Sequence, residues 1–161
     1  MTIDVGDRLP EATMLRIGAE GPEQVALADV LKGRKVVIFA VPGAFTPTCH
    51  SAHVPGFIRV MEGLKEKGVD EVICLAANDP FVMQAWGEAT GATAAGIALL
   101  SDADGSFADA IGMRFDAAAA GLFARSKRYA LAAEDGVVTV WHPETGRGCE
   151  ISGGEAMLAA L

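Results

Sequence analysis

The pattern of apolar positions predicts a strand, a helix and a second strand in the first half of the chain. Residues 34–41 are a short β-branched apolar run between Lys-Gly and Pro-Gly, which is typical of a fully buried strand. From 47 to 67, apolar residues recur at helical spacing until Gly68. Residues 71–77 repeat the buried-strand pattern. This order predicts a right-handed parallel crossover.

The second half of the chain has shorter apolar runs and ends in a hairpin. Residues 129–133 and 137–141 are predicted to pair as antiparallel strands, because the turn 134–136 between them contains Asp-Gly. The other predicted elements are a helix over 81–90 capped by 78–80, a strand over 97–100, a helix over 107–111, a loose loop over 117–120 and a closing helix over 154–161.

These elements predict the α/β class and a thioredoxin-like fold. A parallel strand–helix–strand unit followed by a hairpin and a helix gives a mixed central sheet flanked by helices. Residues 1–33 precede this pattern and are interpreted as an N-terminal extension. The length of 161 residues, with no internal repeat or linker, predicts one domain over 1–161.

The composition narrows the choice of partners. A formal net charge of −8 disfavours nucleic acid or an acidic membrane as a partner, because either would be repelled. The one basic cluster, 125–128, is long enough only to supply one or two cations to a small anionic site. The chain has no apolar run of about 20 residues, and its first residues lack the features of a signal peptide. We therefore expect a soluble, cytoplasmic protein.

Three cysteines point to reactive or buried thiols. Their odd number and the lack of a Cys-x-x-Cys pair fit neither a disulfide framework nor a zinc site. No metal and no cofactor are expected.

Cys49 has the most reactive setting of the three. It follows a core strand and falls in the first turn of the next helix, with Thr46 as the expected N-cap and Pro47 at the first helical position. Free backbone N–H groups and the positive end of the helix favour a thiolate there. The thiolate is the nucleophilic form, so Cys49 is the candidate nucleophile.

The residues around Cys49 suit a bound peroxide. Thr46 stands where a dithiol site would have a second cysteine, and its hydroxyl can bond an oxygen but cannot form a disulfide. Pro42 and Phe45 are expected to narrow the pocket. Arg128, at the start of the late hairpin, is the candidate for the fixed cation that a thiolate and a developing oxyanion need.

Four collinear segments resemble peroxiredoxins of the type II or type five subfamily, and together they span nearly the whole chain. The most specific is Val41-Pro-Gly-Ala-Phe-Thr-Pro-Thr-Cys-His-Ser-Ala-His-Val-Pro-Gly-Phe57, which looks like the active-site signature of that family. The others are 74–86, 100–102 and 121–131.

The resemblance implies a thiol-specific peroxidase that acts in antioxidant defence. Such an enzyme reduces hydrogen peroxide and alkyl hydroperoxides without metal or haem. Cys49 would become a sulfenic acid, with Thr46 and Arg128 contacting the peroxide and Pro42 shielding the sulfur. The resemblance also implies a homodimer.

Thr48 and Phe45 are candidate substrate-binding residues. The roles of the other two cysteines stay open. Cys74 lies in an apolar strand and is either core or the resolving partner that some plant relatives place at this spacing. Cys149 lies in the polar run 144–150 and is either a resolver, as in animal relatives, or a bystander. The regenerating thiol is expected to be glutathione with glutaredoxin, or thioredoxin.

Three further basic residues are candidates for the site. His50 and His53 follow the nucleophile closely enough to suggest a general base, but His53 is better explained as a polar helix residue that packs against neighbouring backbone. Arg125 is a second site or interface cation, or a surface side chain. For the whole protein, a low-turnover peroxide sensor that passes oxidation to a partner and a non-catalytic scaffold are the alternatives to an enzyme.

Overall fold

The computed structural model describes residues 2–146 and 148–161. In this part of the chain, the strands are β1 (Thr13–Gly18), β2 (Gly21–Ala26), β3 (Lys35–Ala40), β4 (Glu71–Ala76), β5 (Ala98–Ser101), β6 (Arg114–Ala117), β7 (Leu122–Ser126), β8 (Tyr129–Glu134) and β9 (Val137–Pro143). The α-helices are α1 (Leu27–Leu31), α2 (Val54–Glu66), α3 (Pro80–Thr90), α4 (Ser106–Ala110) and α5 (Gly154–Ala160). None of the helices in residues 2–146 and 148–161 combines the length and apolar character of a membrane span.

Seven strands form one mixed sheet in the order β2-β1-β5-β4-β3-β8-β9. The central strands β3, β4 and β5 are parallel, and the strands on either side of them are antiparallel. Because both faces of the central strands are covered, these strands are apolar at almost every position. This arrangement confirms the predicted mixed sheet flanked by helices.

The sheet separates two apolar clusters, and alternate residues of β3 contribute to opposite clusters. Phe39 faces α2, α3 and α5, and its ring stacks on Phe57 at a centroid distance of 4.0 Å. Ile38 faces the other cluster, which contains residues of α1 and α4. The period of two along a strand produces this division. Because Phe39 near the end of β3 packs on Phe57 near the start of α2, the loop after β3 lies beside the amino end of α2.

The predicted crossover and hairpin are confirmed. The strands and helices of the first half begin and end within about two residues of the predicted bounds, an ordinary difference at element ends. Asp135 and Gly136 have φ angles of 50° and 79°, the left-handed values that a two-residue hairpin turn requires. Asp79 caps α3, as its carboxylate accepts a hydrogen bond from Val82 N–H at 3.0 Å.

Two regions differ from the sequence-based expectations. The N-terminal extension contains the hairpin of β1 and β2, and β1 joins the central sheet beside β5. The prediction of a loose loop over 117–120 is wrong, because Ala117 ends β6 and Ala118–Ala120 form a 3₁₀ turn that leads into β7. The strands β6 and β7 pair as a separate two-stranded sheet. The alanine-rich run has neither strand nor helix periodicity, so the pattern could not reveal this hairpin.

Helices α2 and α5 pack through glycines at their closest approach. A Cβ placed on Gly154 would lie 2.5 Å from the carbonyl oxygen of Gly56 and 2.9 Å from Cα of Phe57. Both neighbours are backbone atoms and cannot rotate away. Glycine at 154 therefore permits the contact that holds α5 next to the start of α2.

Replacing Gly154 by alanine is expected to destabilise the protein by roughly 2 kcal/mol, because the added methyl forces the two helices apart. Urea denaturation measures the loss. Gly146→Ala is the matched control, since a Cβ at Gly146 meets no atom within 4 Å. Equal stabilities of the two variants would contradict the close helix packing.

Candidate active site

The loop after β3 is held in place by three contacts from other elements. The backbone N–H of Val41 donates to the carbonyl of Leu75 at 3.1 Å, and that of Ala44 donates to Asn78 Oδ1 at 2.8 Å. Arg125 Nη1 donates to the carbonyl of Pro42 at 3.2 Å. The loop therefore has a fixed shape before the helix begins. Arg125 lies at the site, which agrees with its interpretation as a second site cation.

The helix that carries the cysteine begins at Pro47, as predicted, but from Cys49 it continues as a turn that is wider than an α-helical turn. Cys49–His53 form a π-helical turn, in which Val54 N–H donates to the carbonyl of Cys49. The carbonyl of Thr46 accepts from the N–H of His50 at 2.9 Å, so Thr46 occupies the N-cap position. Its hydroxyl, however, donates to the carbonyl of Gly43 at 2.6 Å. The oxygen lone pairs of that hydroxyl remain as acceptors.

The sulfur of Cys49 is buried and contacts a guanidinium group. Arg128 Nη2 donates to Cys49 Sγ at 3.0 Å. Arg128 immediately precedes β8, which pairs with β3, and this pairing brings a residue 79 positions away to the sulfur. The Arg128 residue is only 8% exposed. A charge-assisted contact of this kind is stronger when it is shielded from water than when it is exposed to solvent.

His53 contacts the same guanidinium from the other side. Its Nδ1 is 2.8 Å from Arg128 Nη1, and its Nε2 is 2.8 Å from the carbonyl oxygen of Ser152. Burial, and after it the charge of Arg128, lowers the pKa of His53 to about 3. The ring is therefore neutral and both nitrogens are occupied. The suggestion of His53 as a general base is wrong, and its interpretation as a polar residue packed against backbone is confirmed.

His50 lies in a different environment, next to an aromatic pair. Its Nδ1 accepts from Trp86 Nε1 at 3.0 Å, and its ring stacks on Phe45 at a centroid distance of 5.8 Å. Phe45 is 53% exposed, so its ring covers His50 at the surface. This placement differs from the expected narrowing of the pocket by Phe45. A nitrogen bonded to an indole N–H is also a poor general base.

A loop near the C-terminus completes the site through contacts of Glu144, Ile151 and Ser152 that the sequence analysis did not identify. Ser152 donates to Glu144 Oε2 through its backbone N–H at 3.0 Å and through its hydroxyl at 2.6 Å. The N–H of Ile151 donates to Glu144 Oε1 at 3.4 Å, and the N–H of Glu144 donates to the carbonyl of Arg128 at 3.0 Å. Burial opposes ionisation of Glu144, but the hydrogen bonds from Ser152 and Ile151 outweigh it and lower the pKa of the carboxyl. No local motif around 144 or 152 indicates these contacts.

The predicted residues that remain, Thr48 and Pro42, lie close to Cys49 in sequence. Thr48 is half-buried in the first helical turn, with φ −67° and ψ −38°. Pro42 is half-buried in the loop that Arg125 binds. In the described part of the chain, no group of three or more His, Cys, Asp or Glu side chains is arranged to hold a metal ion.

All three cysteines are free thiols. Cys74 is fully buried in β4, and burial, followed by the proximity of Cys49, raises the pKa of its thiol well above the usual value. Cys149 is half-buried in the C-terminal loop, and burial raises the pKa of its thiol although Arg128 opposes the shift. The raised pKa favours the protonated form of both thiols. Neither Cys74 nor Cys149 is therefore a ready nucleophile at neutral pH.

Comparisons with known proteins agree with this site. A model of the Redoxin family matches residues 4–158. Peroxiredoxin-2E-2, chloroplastic, of Oryza sativa subsp. japonica is 48% identical over 164 residues, which cover 99% of this chain and 73% of that protein. Peroxiredoxin-2C of the same organism is 43% identical, with coverage of 99% and 98%. The crystal structure of reduced Prx3 in complex with H₂O₂ from Vibrio vulnificus superposes with a TM-score of 0.93 at 45% identity, covering 99% of each chain.

A buried thiol at a helix start on a thioredoxin-like fold defines the class of redoxins, and the chain belongs to the Redoxin family. Within it, the relatives are peroxiredoxins of the peroxiredoxin-2 type, so the protein is a thiol-dependent peroxidase. The resemblance inferred from the sequence is confirmed, and so is the predicted thioredoxin-like fold. These similarities do not favour the sensor or scaffold alternatives.

The low pKa of His53 predicts a specific loss of stability in acid. The unfolded-state value is 6.5 and the folded-state value about 3. The unfolded chain therefore binds more protons in this window, and the free energy of unfolding falls as the pH drops from about 6.5 towards 3. When the pH is lowered from about 7.5 to about 5.5, the free energy of unfolding of the wild type should fall by about 1 kcal/mol more than that of His53→Gln. Urea denaturation at both pH values measures this difference, and parallel losses would contradict the buried neutral imidazole.

Proposed function

We propose that Cys49 is the peroxidatic residue and that Arg128, Thr46 and Pro42 form the peroxide site around it. The observation that carries this proposal is the 3.0 Å contact between Arg128 Nη2 and Cys49 Sγ, both of which belong to buried residues. The substrates are hydrogen peroxide and small alkyl hydroperoxides.

The first step is a displacement at oxygen. The Cys49 thiolate attacks the terminal oxygen of the peroxide, an S–O bond forms and the O–O bond breaks. The sulfur is oxidised to a sulfenic acid, and the peroxide is reduced to water or an alcohol once the departing oxygen takes a proton. Arg128 stays charged throughout, so its N–H groups stabilise first the thiolate and then the charge on the departing oxygen.

Thr46 and the first helical turn orient the substrate in this proposal. The hydroxyl of Thr46 donates to Gly43, so it is left to accept a hydrogen bond from the O–H of the peroxide. The first backbone N–H groups of a helix have no intrahelical acceptor, so those around Thr48 and Cys49 can donate to the peroxide oxygens. The backbone N–H donors and the Thr46 hydroxyl acceptor together hold the O–O bond of the peroxide in line with the attacking sulfur.

The burial of the sulfur supports small substrates. Cys49 has no exposed surface, and the loop before it is tied to β4, to the segment before α3 and to β7 through Leu75, Asn78 and Arg125. A bulky hydroperoxide would have to displace this loop. The half-buried Pro42 in the same loop keeps water from the thiolate.

The reductant in this proposal is an external thiol, glutathione with glutaredoxin, with thioredoxin as the other donor. The raised pKa of the Cys74 and Cys149 thiols supports it, because neither is the thiolate that attacks a sulfenic acid quickly. The external thiol displaces water from the sulfenic acid to give a mixed disulfide. A second external thiol then attacks this mixed disulfide. The Cys49 thiolate is released, and the two external thiols leave joined as a disulfide.

One equivalent of hydrogen peroxide without added thiol is expected to add one oxygen to the wild-type protein and none to Cys49→Ser. Intact-protein mass spectrometry measures the change, and Cys74→Ser and Cys149→Ser are the matched controls. Loss of two hydrogens would contradict the external-thiol cycle, and the control that abolishes this loss would identify the resolving cysteine. If wild type and Cys49→Ser then reduce peroxide equally with every donor system, the role of Cys49 is wrong.

We also propose a homodimer that forms around the cysteine loop. Three exposed phenylalanines support it: Phe45 at 53% exposure on the loop itself, and Phe81 at 61% and Phe123 at 64% on segments that contact the loop. Phe81 is in the first turn of α3, next to the Asn78 contact, and Phe123 is in β7, next to Arg125. Large exposed apolar side chains around one site are typical of an interface.

Phe123→Glu should convert the dimer to a monomer, because a dimer would bury the new carboxylate without a partner. Sedimentation velocity at a fixed protein concentration measures the state. Val5→Glu, at a similarly exposed apolar residue on the segment paired with β9, is the control and should remain dimeric. A monomeric wild type, or two variants that behave alike, would contradict this interface.

The cytoplasmic location expected from the sequence stays a prediction. The relatives include a chloroplastic protein.

A further inference from the structure

One guanidinium group bridges the reacting sulfur and a histidine ring. Arg128 uses Nη2 for Cys49 Sγ at 3.0 Å and Nη1 for His53 Nδ1 at 2.8 Å. An arginine side chain has several rotatable bonds, and a single contact with sulfur would leave much of this freedom. The second contact fixes the plane of the guanidinium.

The two partners of His53 determine its tautomer. Arginine only donates, so Nδ1 is the acceptor, and the carbonyl of Ser152 only accepts, so Nε2 carries the hydrogen. A neutral acceptor holds Arg128 without cancelling its charge. A carboxylate in the same place would draw that charge away from the sulfur, and a protonated imidazole would repel it.

The ring of His53 is fixed by packing as well as by hydrogen bonds. It is fully buried, and its centroid is 4.9 Å from that of Phe39 and 5.6 Å from that of Phe57. These rings belong to the core between the sheet and α2. Packing against two aromatic rings therefore restricts rotation of the imidazole.

The hydrogen bonds that continue from His53 lead back to the backbone of Arg128. The carbonyl of Ser152 accepts from His53, while the backbone N–H and hydroxyl of Ser152 donate to Glu144. The N–H of Glu144 donates to the carbonyl of Arg128 at 3.0 Å. Arg128, His53, Ser152 and Glu144 thus form a closed ring of hydrogen bonds, with the sulfur outside it.

We propose that His53 is a positioning residue that holds the Arg128 guanidinium on the Cys49 sulfur, and that Glu144 keeps His53 in place through Ser152. This inference rests on the proposed function of Cys49. It assigns the C-terminal loop to peroxide reactivity, although no side chain of residues 144, 151 and 152 bonds to the sulfur.

The test measures the second-order rate constant for oxidation of Cys49 by hydrogen peroxide, by rapid quenching and intact-protein mass spectrometry. His53→Phe keeps a ring between Phe39 and Phe57 but removes both nitrogens. Its rate constant should fall about tenfold to a hundredfold, the range for loss of one hydrogen bond to a charged group at tenfold per 1.4 kcal/mol. His53→Gln restores an acceptor and a donor on one amide, so it should recover most of the loss.

A double-mutant cycle separates positioning from a general effect on folding. In an Arg128→Met background, His53→Phe should change the rate constant less than about twofold, because the group it positions is absent. Glu144→Gln should give a smaller loss than His53→Phe, and that loss should also vanish in the Arg128→Met background. Glu144→Gln serves as the second variant if His53→Phe does not fold.

Equal losses in the presence and absence of Arg128 would overturn the inference, as would a Gln variant no better than the Phe variant. Both results would leave the proposed function intact provided that wild type reacts with peroxide through Cys49. A wild type without such a reaction refutes the proposed function instead.

Discussion

A buried cation beside a buried sulfur is the interaction on which this site depends. Arg128 cannot deprotonate, so the protein must surround its charge with acceptors or pay a large desolvation cost. The sulfur of Cys49 and the ring of His53 are the acceptors around this guanidinium. In the described residues, no buried side-chain nitrogen or oxygen lacks a hydrogen-bond partner. The charge is thus held by two side chains of the same helical turn, while the backbone carbonyl of Arg128 accepts from the N–H of Glu144.

The sheet brings these parts together. The strand β3 delivers the loop and the cysteine, and its antiparallel neighbour β8 begins directly after Arg128. Because Ala40 pairs with Tyr129, the last residues of β3 and the first of β8 lie at one edge of the sheet. The strand β9 ends at the same edge, where Glu144 follows it. The chemistry therefore lies where three strand ends meet, as is common in α/β folds.

The sequence was most informative where local chemistry and burial coincide. The central strands were predictable because a parallel strand covered on both faces is apolar throughout, as in 71–76. Cys49 was predictable because a thiol at a helix start has an identifiable electrostatic environment, and Arg128 because it begins a strand beside the cysteine helix. The strand β2 was missed because most of its residues are exposed and only Val25 is buried, so it has no alternating apolar pattern. The ring through Ser152 was missed because its bond to His53 joins a side chain to a backbone carbonyl 99 residues away, which no residue type specifies.

The π-helical turn at Cys49–His53 has a consequence for the length of this segment. A π turn contains one residue more than the α turn that it replaces. Deleting a residue such as Ala52 would restore α-helical spacing, because the π turn accommodates that one extra residue. The loop before Cys49 is anchored to β4, to the segment before α3 and to β7, so it would keep its place on the sheet. The π turn therefore absorbs one residue between two anchored segments, and a deletion inside it should disturb the site less than a deletion in the anchored loop before Cys49.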